Sequence, residues 1–431
     1  MSGPAPHAPS PGGFGPALQL VRLALFDLRH EWAITLCQVT AVAAILAPLL
    51  VLYGLQQGVI GTLLERMDRD PAMRAIIPDV AGANRFDAAW FEAMRTRPDV
   101  AFVMPNTRAI AGQVDLLPKD GTAAAPVRVS WLPTAAGDPV AGAAEDGGKV
   151  LTPTAAALAE GLDRMSLSAR AAEKLGVKAG GQVLAGIERV RGGRIEPVGL
   201  TLTVLSVVPV ERYDGLAAFV TLPLLEAVQD YRDGFAVPAL GWAGDGTAPA
   251  TGAYPLFRLY ARSIRDVGPL AAYLQARNVT VATRAGEIAS ALALSRNLTV
   301  ILVIVAGLAV AGYAVSLAAN QWANADRKRR ELAILGLVGY PPAWRTCYPL
   351  AQSGTIALAG AGLAVALFAV VAVAINLYFS PSIDGGESAC RLAAWQIAAC
   401  VAATLAVSLL PAALTGLFYG RLEVSEELRD V

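Results

Sequence analysis

The sequence predicts an α-helical membrane protein with four transmembrane helices and a large extracytoplasmic α/β domain between the first and the second. Three observations predict it. Four runs are apolar for about 20 residues or more, the length a helix needs to cross a bilayer core of about 30 Å. Charge is scarce: 16% of the 431 residues are charged, against about 25% in soluble domains, and the mean hydropathy is +0.48. The first two runs are separated by about 240 residues in which strand-like and helix-like patterns alternate between Gly and Pro punctuation.

Residues 1–16 are rich in Pro, Gly and Ser with almost no apolar bulk, a composition that predicts disorder. Residues 17–64 hold a lead-in, the first span (WAITLCQVTAVAAILAPLLVLYGL, from Trp32) and a stalk. A signal peptide has an apolar core of about 7–15 residues and a small-residue cleavage site. This run is longer and lacks a clear site, so it reads as a retained span. Residues 56–67 keep helical spacing with no Pro.

Residues 65–284 read as the extracytoplasmic domain, large enough for one or two compact cores. Segments 100–115, 126–132, 217–221, 256–261 and 279–283 are rich in β-branched residues and read as strands. Segments 182–190 and 195–208 read as a hairpin turning at Arg191-Gly192-Gly193-Arg194. Helices are expected at 168–175, with Ser168 as N-cap and Gly176 after the end, at 223–231 with Pro in the first turn, and near 266–276. Arg189, Arg191 and Arg194 read as charges on an exposed turn.

Residues 285–319 form a second stalk and span, 320–348 a loop, 349–379 the third span, 380–391 a short loop, 392–418 the fourth span and 419–431 a tail. From 286 through 338 there is no Pro, so one helix of about 50 residues and about 75 Å is expected. Basic residues set orientation. Arg22 and Arg29 precede the first span, and Arg327, Lys328, Arg329, Arg330 and Arg345 lie between the second and third. The loop 380–391 holds one Arg beside Asp384 and Glu387. Both termini and the basic loop are therefore expected in the cytoplasm, and 65–284 outside. The basic cluster suits the C-terminal end of a helix, where cations complement the dipole. Gly339 suits a helix end, and Pro342 opens a short second helix carrying Trp344, an interfacial residue type. The stretch thus reads as a helical elbow on the membrane surface.

Composition also excludes classes of function. The net charge is zero, which gives nucleic acid no electrostatic footprint. His7 and His30 are the only histidines, so a His-ligated metal or a Ser-His-Asp triad is excluded from 65–284. The four cysteines (Cys37, Cys347, Cys390, Cys400) leave residues 56–295 without any, hence without a disulfide framework. No G-x-x-x-x-G-K-[ST] phosphate loop occurs. With no nucleophile–base constellation, the chain is expected to be non-catalytic. Ala394, Ala398, Ala402 and Ala406 recur every four residues of the fourth span, spacing that permits close helix packing.

Arg329-Arg330-Glu331-Leu332-Ala333-Ile334-Leu335 followed by Gly339 resembles the stretch after the second span of FtsX/MacB-type (LolC/LolE-like) ABC transporter permeases. Those have a basic pair, then Glu-Ile-Ala/Gly-Ile, then Gly. LSARAAEKLGVKAGGQV (167–183) is similar to that family's extracytoplasmic helix and Leu-Gly-x-x-x-Gly-Asp-x-Val, with Gln182 where Asp is usual. Pro411-Ala412 and Ser425-Glu426-Glu427-Leu428-Arg429 are similar to its closing motifs, and the one-plus-three span order is its layout. Tyr340-Pro341-Pro342 departs from the usual Ala-Ser after the Gly.

The resemblance implies a MacB-like periplasmic core and a bacterial inner-membrane location. It implies a permease that binds no cofactor itself, with ATP and Mg on a partner ATPase in two copies, and a second permease chain, identical or related. It also implies mechanotransmission for export or extraction of a lipid, lipoprotein, peptide or drug. An FtsX-like regulator activating a periplasmic cell-wall hydrolase is the other reading, and a periplasmic adaptor and membrane lipids are further implied partners. Arg329, Arg330, Glu331, Ile334, Gly339, Pro342 and Trp344 are then the ATPase-coupling residues, and Ala394, Ala398 and Ala402 the span-packing ones.

Overall fold

A computed structural model of the chain describes residues 15–79, 85–108, 112–119, 125–141, 145–146, 149–150, 161–249, 252–327, 347–379 and 388–420. Among these, four helices are long and apolar enough to span a membrane, with a soluble α/β region between the first and second. The chain divides into a membrane unit, residues 1–63 and 293–431, and a soluble unit, residues 64–292.

The membrane unit begins with α1 (Gly15–His30), a helix the composition of the lead-in did not announce. It is followed by α2 (Trp32–Leu55), the first span. Their joint is held by Thr35, whose hydroxyl donates to the carbonyl of Leu28 at 3.0 Å. A π-helical turn, Gln56–Ile60, leads on to α3 (Gly61–Arg69).

The soluble unit has two cores. Its first elements are α4 (Pro71–Arg74), β1 (Ala75–Pro78), β2 (Phe86–Asp87), α5 (Ala88–Arg95) and β3 (Val100–Asn106). Then come β4 (Gln113–Pro118), β5 (Val127–Pro133), β6 (Glu145–Asp146), β7 (Lys149–Val150), β8 (Arg164–Ser168) and α6 (Ala169–Leu175). The rest are β9 (Gln182–Arg191), β10 (Arg194–Val208), β11 (Ala217–Val220), α7 (Leu222–Arg232), β12 (Ala253–Tyr254), β13 (Leu256–Ala261), α8 (Ile264–Gln275) and β14 (Val281–Ala282).

A four-stranded sheet runs β14-β1-β13-β3, each neighbour antiparallel. It packs on α5 and α8 through Phe91, Met94, Phe257, Leu259, Leu270 and Leu274. Helix α8 starts two residues before the expected 266 because Ser263 and Asp266 form a capping box: the Asp266 carboxylate accepts the Ser263 N–H at 3.1 Å. Leu64 and Met67 of α3, and Ile288 and Leu292 further on, join this core.

Between β3 and β13 the chain builds a closed barrel, β10-β8-β11-β5-β4-β9, around Val129, Trp131, Leu167, Ile187 and Leu202. The segment expected as a single strand at 100–115 is two strands that serve different cores: β3 pairs with β13, β4 with β5 and β9. The hairpin turn places Gly192 and Gly193 at φ 56° and 77°, the left-handed pair a two-residue turn needs for strands of right-handed twist. Helix α6 ends at Gly176 with φ 66°, as expected of a C-terminal glycine. Ser168 precedes α6, but its hydroxyl does not cap it. Buried at the end of β8, it accepts the N–H of Ala217 on β11 instead.

Arg189 corrects the reading of the hairpin arginines. Val183, Ala185 and Ile187 face the core, and the two-residue period carries Arg189 to the same face. It is 5% exposed, lies 4.2 Å from the Tyr231 ring centroid and donates to Glu196 at 2.7 Å. Arg191 pairs with Asp245.

The chain then enters α9 (Ala285–Arg327), 43 residues without a break and about 65 Å long. It passes straight through 320–324. The expected continuation to 338 lies outside the described residues. Two further spans, α10 (Cys347–Phe379) and α11 (Ala394–Gly420), complete the membrane unit. Spans α2 and α10 pack closely because Gly360 lies against Val42, where a Cβ would come within 2.5 Å. Ala357, Ala361 and Ala364 extend the small buried face on α10.

Candidate functional site

The elbow residues read from sequence (Arg329, Arg330, Glu331, Ile334, Gly339, Pro342 and Trp344) lie outside the described residues. The helix ends on either side of them are described. Helix α9 arrives as far as Arg327, and α10 departs from Cys347.

The first turns of α10 carry a polar cluster in an otherwise apolar span. Tyr348 and Gln352, four residues apart, share one face. They are 8% and 4% exposed. Both donate to Oδ2 of Asp27 on α1, the Tyr348 hydroxyl at 2.6 Å and the Gln352 amide at 2.8 Å. The Gln352 amide also donates to the Tyr348 hydroxyl at 3.2 Å. On the next face, Ser353 accepts from Gln321 of α9, and both are buried. Thus α1, α9 and α10 are tied together by hydrogen bonds near the start of α10. Bonds to a charged acceptor are worth about 1.5–3 kcal/mol each, more than neutral ones.

Sequence reading missed this cluster. The available signal was Asp27, an acid inside LALFDLRH, together with polar Tyr348, Gln352 and Ser353 at the start of a span. Asp27→Ala is expected to loosen α1 from α10. Maleimide labelling of half-buried Cys347, measured in the full chain with the other three cysteines replaced by Ser, should accelerate at least tenfold. Asp27→Asn, which keeps an acceptor oxygen, should accelerate it less. Equal rates in all three proteins would rule out the tie.

The segment that contains these helix ends also carries the comparison with known proteins. Residues 303–424 match the family model described as FtsX-like permease C-terminal. This part of the chain is an FtsX-like permease domain. The match supports a permease of the ABC-transporter kind, and FtsX-like permeases are a family that works with ATPase partners. No curated protein matches the chain.

Within the permease domain, α11 turns Ile397, Cys400 and Val401 toward α2 and α10. Ala394, Ala398 and Ala402 are exposed within the described residues of one chain. Helix α9 is more open still: Val300, Ile301, Val303, Ile304 and Leu308 are all exposed. It meets α11 through Tyr313 and Ser408, whose hydroxyls are 2.9 Å apart. An apolar cleft of about 340 Å³ lies between α2, α9 and α11, lined among others by Leu46, Leu50, Leu302, Val310 and Val407. Among the described residues, no three His, Cys, Asp or Glu side chains gather as a metal site.

Proposed function

We propose that the chain is the permease subunit of an ABC complex, and that it transmits ATP-driven motion of a separate ATPase to residues 65–284. The observation that carries this reading is α9. It is one unbroken helix that starts at Ala285, contributes Ile288 and Leu292 to the core of the soluble unit, and ends at Arg327 within the matched permease domain. A helix transmits displacement along its axis because its backbone hydrogen bonds run parallel to that axis. In this reading the termini and residues 320–348 face the cytoplasm of a bacterial inner membrane, and 65–284, with a MacB-like core, faces the periplasm. The elbow residues Arg329, Arg330, Glu331, Ile334, Gly339, Pro342 and Trp344 receive the ATPase. ATP and Mg stay on that partner, and the chain itself catalyses nothing. A second permease chain covers the exposed faces of α9 and α11. The cargo is a lipid, lipoprotein, peptide or drug handled on the outer side.

Co-purification tests the reading. The chain expressed in its host and isolated in mild detergent is expected to bring down an ATPase subunit in equal copy number, with ATP hydrolysis in the eluate. Isolation without any ATPase, from membranes that contain the host's full set, would sink it.

A further inference from the structure

The first span does not stop at Leu55. It passes through the π-helical turn Gln56–Ile60 before α3 begins. Such turns are rare, hold one residue more than an α-turn, and cluster at functional positions. Within six residues of α2 and this turn, every other span of the membrane unit makes contact. The Tyr53 hydroxyl accepts from Gln396 of α11 at 3.1 Å. Gln56 donates to the Thr299 hydroxyl of α9 at 2.6 Å. Gly54 and Gly58, one helical turn apart, receive residues 389–391, the approach to α11. A Cβ at Gly58 would overlap the Ala389 carbonyl oxygen, and one at Gly54 would come within 2.9 Å of Cys390 Sγ. The Gly54 carbonyl accepts the Arg391 N–H at 3.2 Å.

Span α10 holds the same segment from its other side. Asn376 brackets Cys390 with one side-chain amide: Oδ1 accepts the Cys390 N–H at 2.8 Å, and Nδ2 donates to the Cys390 carbonyl at 3.0 Å. Ala389 and Cys390 are 3% and 2% exposed. A glycine pair at this spacing usually admits a neighbouring helix. Here it admits irregular backbone, whose polar groups are satisfied by Asn376 and by the carbonyl of Gly54.

We propose that residues 389–391 are a clamp that keeps the turn 56–60 in its π form, with Asn376 as the positioning residue that seats the clamp. While the clamp is seated, Gln56 is held against Thr299 of α9, which fixes where α3 starts. When the clamp lifts, the π-turn is free to relax to α. Losing one residue from the turn rotates the start of α3 by about 100° relative to α2. The proposal concerns the membrane unit alone and stands whether or not an ATPase drives it.

The test uses the full chain in lipid nanodiscs. In a background with Cys37, Cys347 and Cys400 replaced by Ser, Cys390 is labelled with a membrane-impermeant maleimide. Labelling should be slow in the parent, at least tenfold faster with Gly58→Val, and faster by a smaller factor with Asn376→Ala, which leaves α2 untouched. Spin labels at Leu63→Cys and Leu294→Cys, in a cysteine-free background with Cys390→Ala, then report the spacing of α3 and α9. A narrow distance distribution is expected in that parent, and a broadened or shifted one with Gly58→Val and with Asn376→Ala. Monodisperse elution of Asn376→Ala separates clamp release from misfolding. The clamp is overturned if Cys390 gains no reactivity in either variant. It is equally overturned if reactivity rises while the distance distribution stays as in the parent.

Discussion

Arg258→Met is expected to destabilise the soluble unit by about 3–5 kcal/mol, the usual cost of removing one partner from a buried ion pair. Arg258 lies on β13 at 4% exposure and faces Asp138, at 1%, in the turn that follows β5. Its guanidinium donates to Asp138 Oδ2 at 3.0 Å, to the Tyr260 hydroxyl at 3.0 Å and to the Pro133 carbonyl. Burial alone would lower the guanidinium pKa, but Tyr260 and Asp138 raise it by more, so the group stays charged. Asp138 also accepts the Thr134 hydroxyl and the Val140 N–H, each at 2.9 Å. The pair sits in the seam where Phe102, Met104 and Tyr260 of the sheet meet Val208 and Phe219 of the barrel. Removing Arg258 leaves a carboxylate there with its charge uncompensated.

Hydrogen exchange of peptides covering 128–141 and 253–262 in the full chain should then accelerate roughly a hundredfold to several thousandfold, at about 1.4 kcal/mol per tenfold. Asp138→Asn keeps an acceptor for the turn and removes the charge. Combined with Arg258→Met it should cost clearly less than the two single changes added together. Strict additivity would show that the two groups are held by their neighbours independently.

That seam marks the boundary between what sequence patterns express and what they do not. Period-two alternation located β9 and β10, and Gly192-Gly193 located their turn, because a hairpin is a local object. The strand at 256–261 and the helix endings at Gly176 were readable for the same reason. Closure of the barrel was not. It depends on the parallel pairs β8–β10 and β5–β11, whose partners lie tens of residues apart and leave no mark in either strand. Arg189 was misplaced because a basic residue near a turn suggests solvent, whereas the alternation from Val183 onward already pointed it inward.

The membrane unit shows the same division. Apolar runs revealed the spans, since length and composition suffice for that. Contacts between them depend on single residues that look unremarkable in a run. The regular alanines of α11 drew the eye, yet Gly54, Gly58 and Gly360 mark the close approaches within one chain. Asp27 became informative only when α1 brought it to Tyr348 and Gln352, residues more than 300 positions away.

In the proposed complex with an ATPase, Arg330→Ala combined with Glu331→Ala is expected to uncouple ATP hydrolysis from movement of the start of α3 relative to α9 by roughly 5- to 150-fold, the span of a coupling energy of about 1–3 kcal/mol. The expectation follows from what flanks these residues. Helix α9 reaches Arg327 without interruption, so any push on the residues just beyond it is applied to the end of a 43-residue helix. The Gln321–Ser353 bond and the Asp27 cluster hold α9 and α1 to α10 at that same end. Helix ends held to one another move together when one of them is pushed. In the proposed complex with an ATPase, the double variant should keep normal membrane insertion, normal exchange in 253–262 and an unchanged KM for ATP. ATP-dependent change in the Leu63–Leu294 spin-label distance should fall by the stated factor. Asp27→Ala should weaken the same signal by a smaller factor, because it loosens the mount without removing the contact. Full ATP-dependent distance change in the double variant would place the ATPase contact elsewhere on the chain.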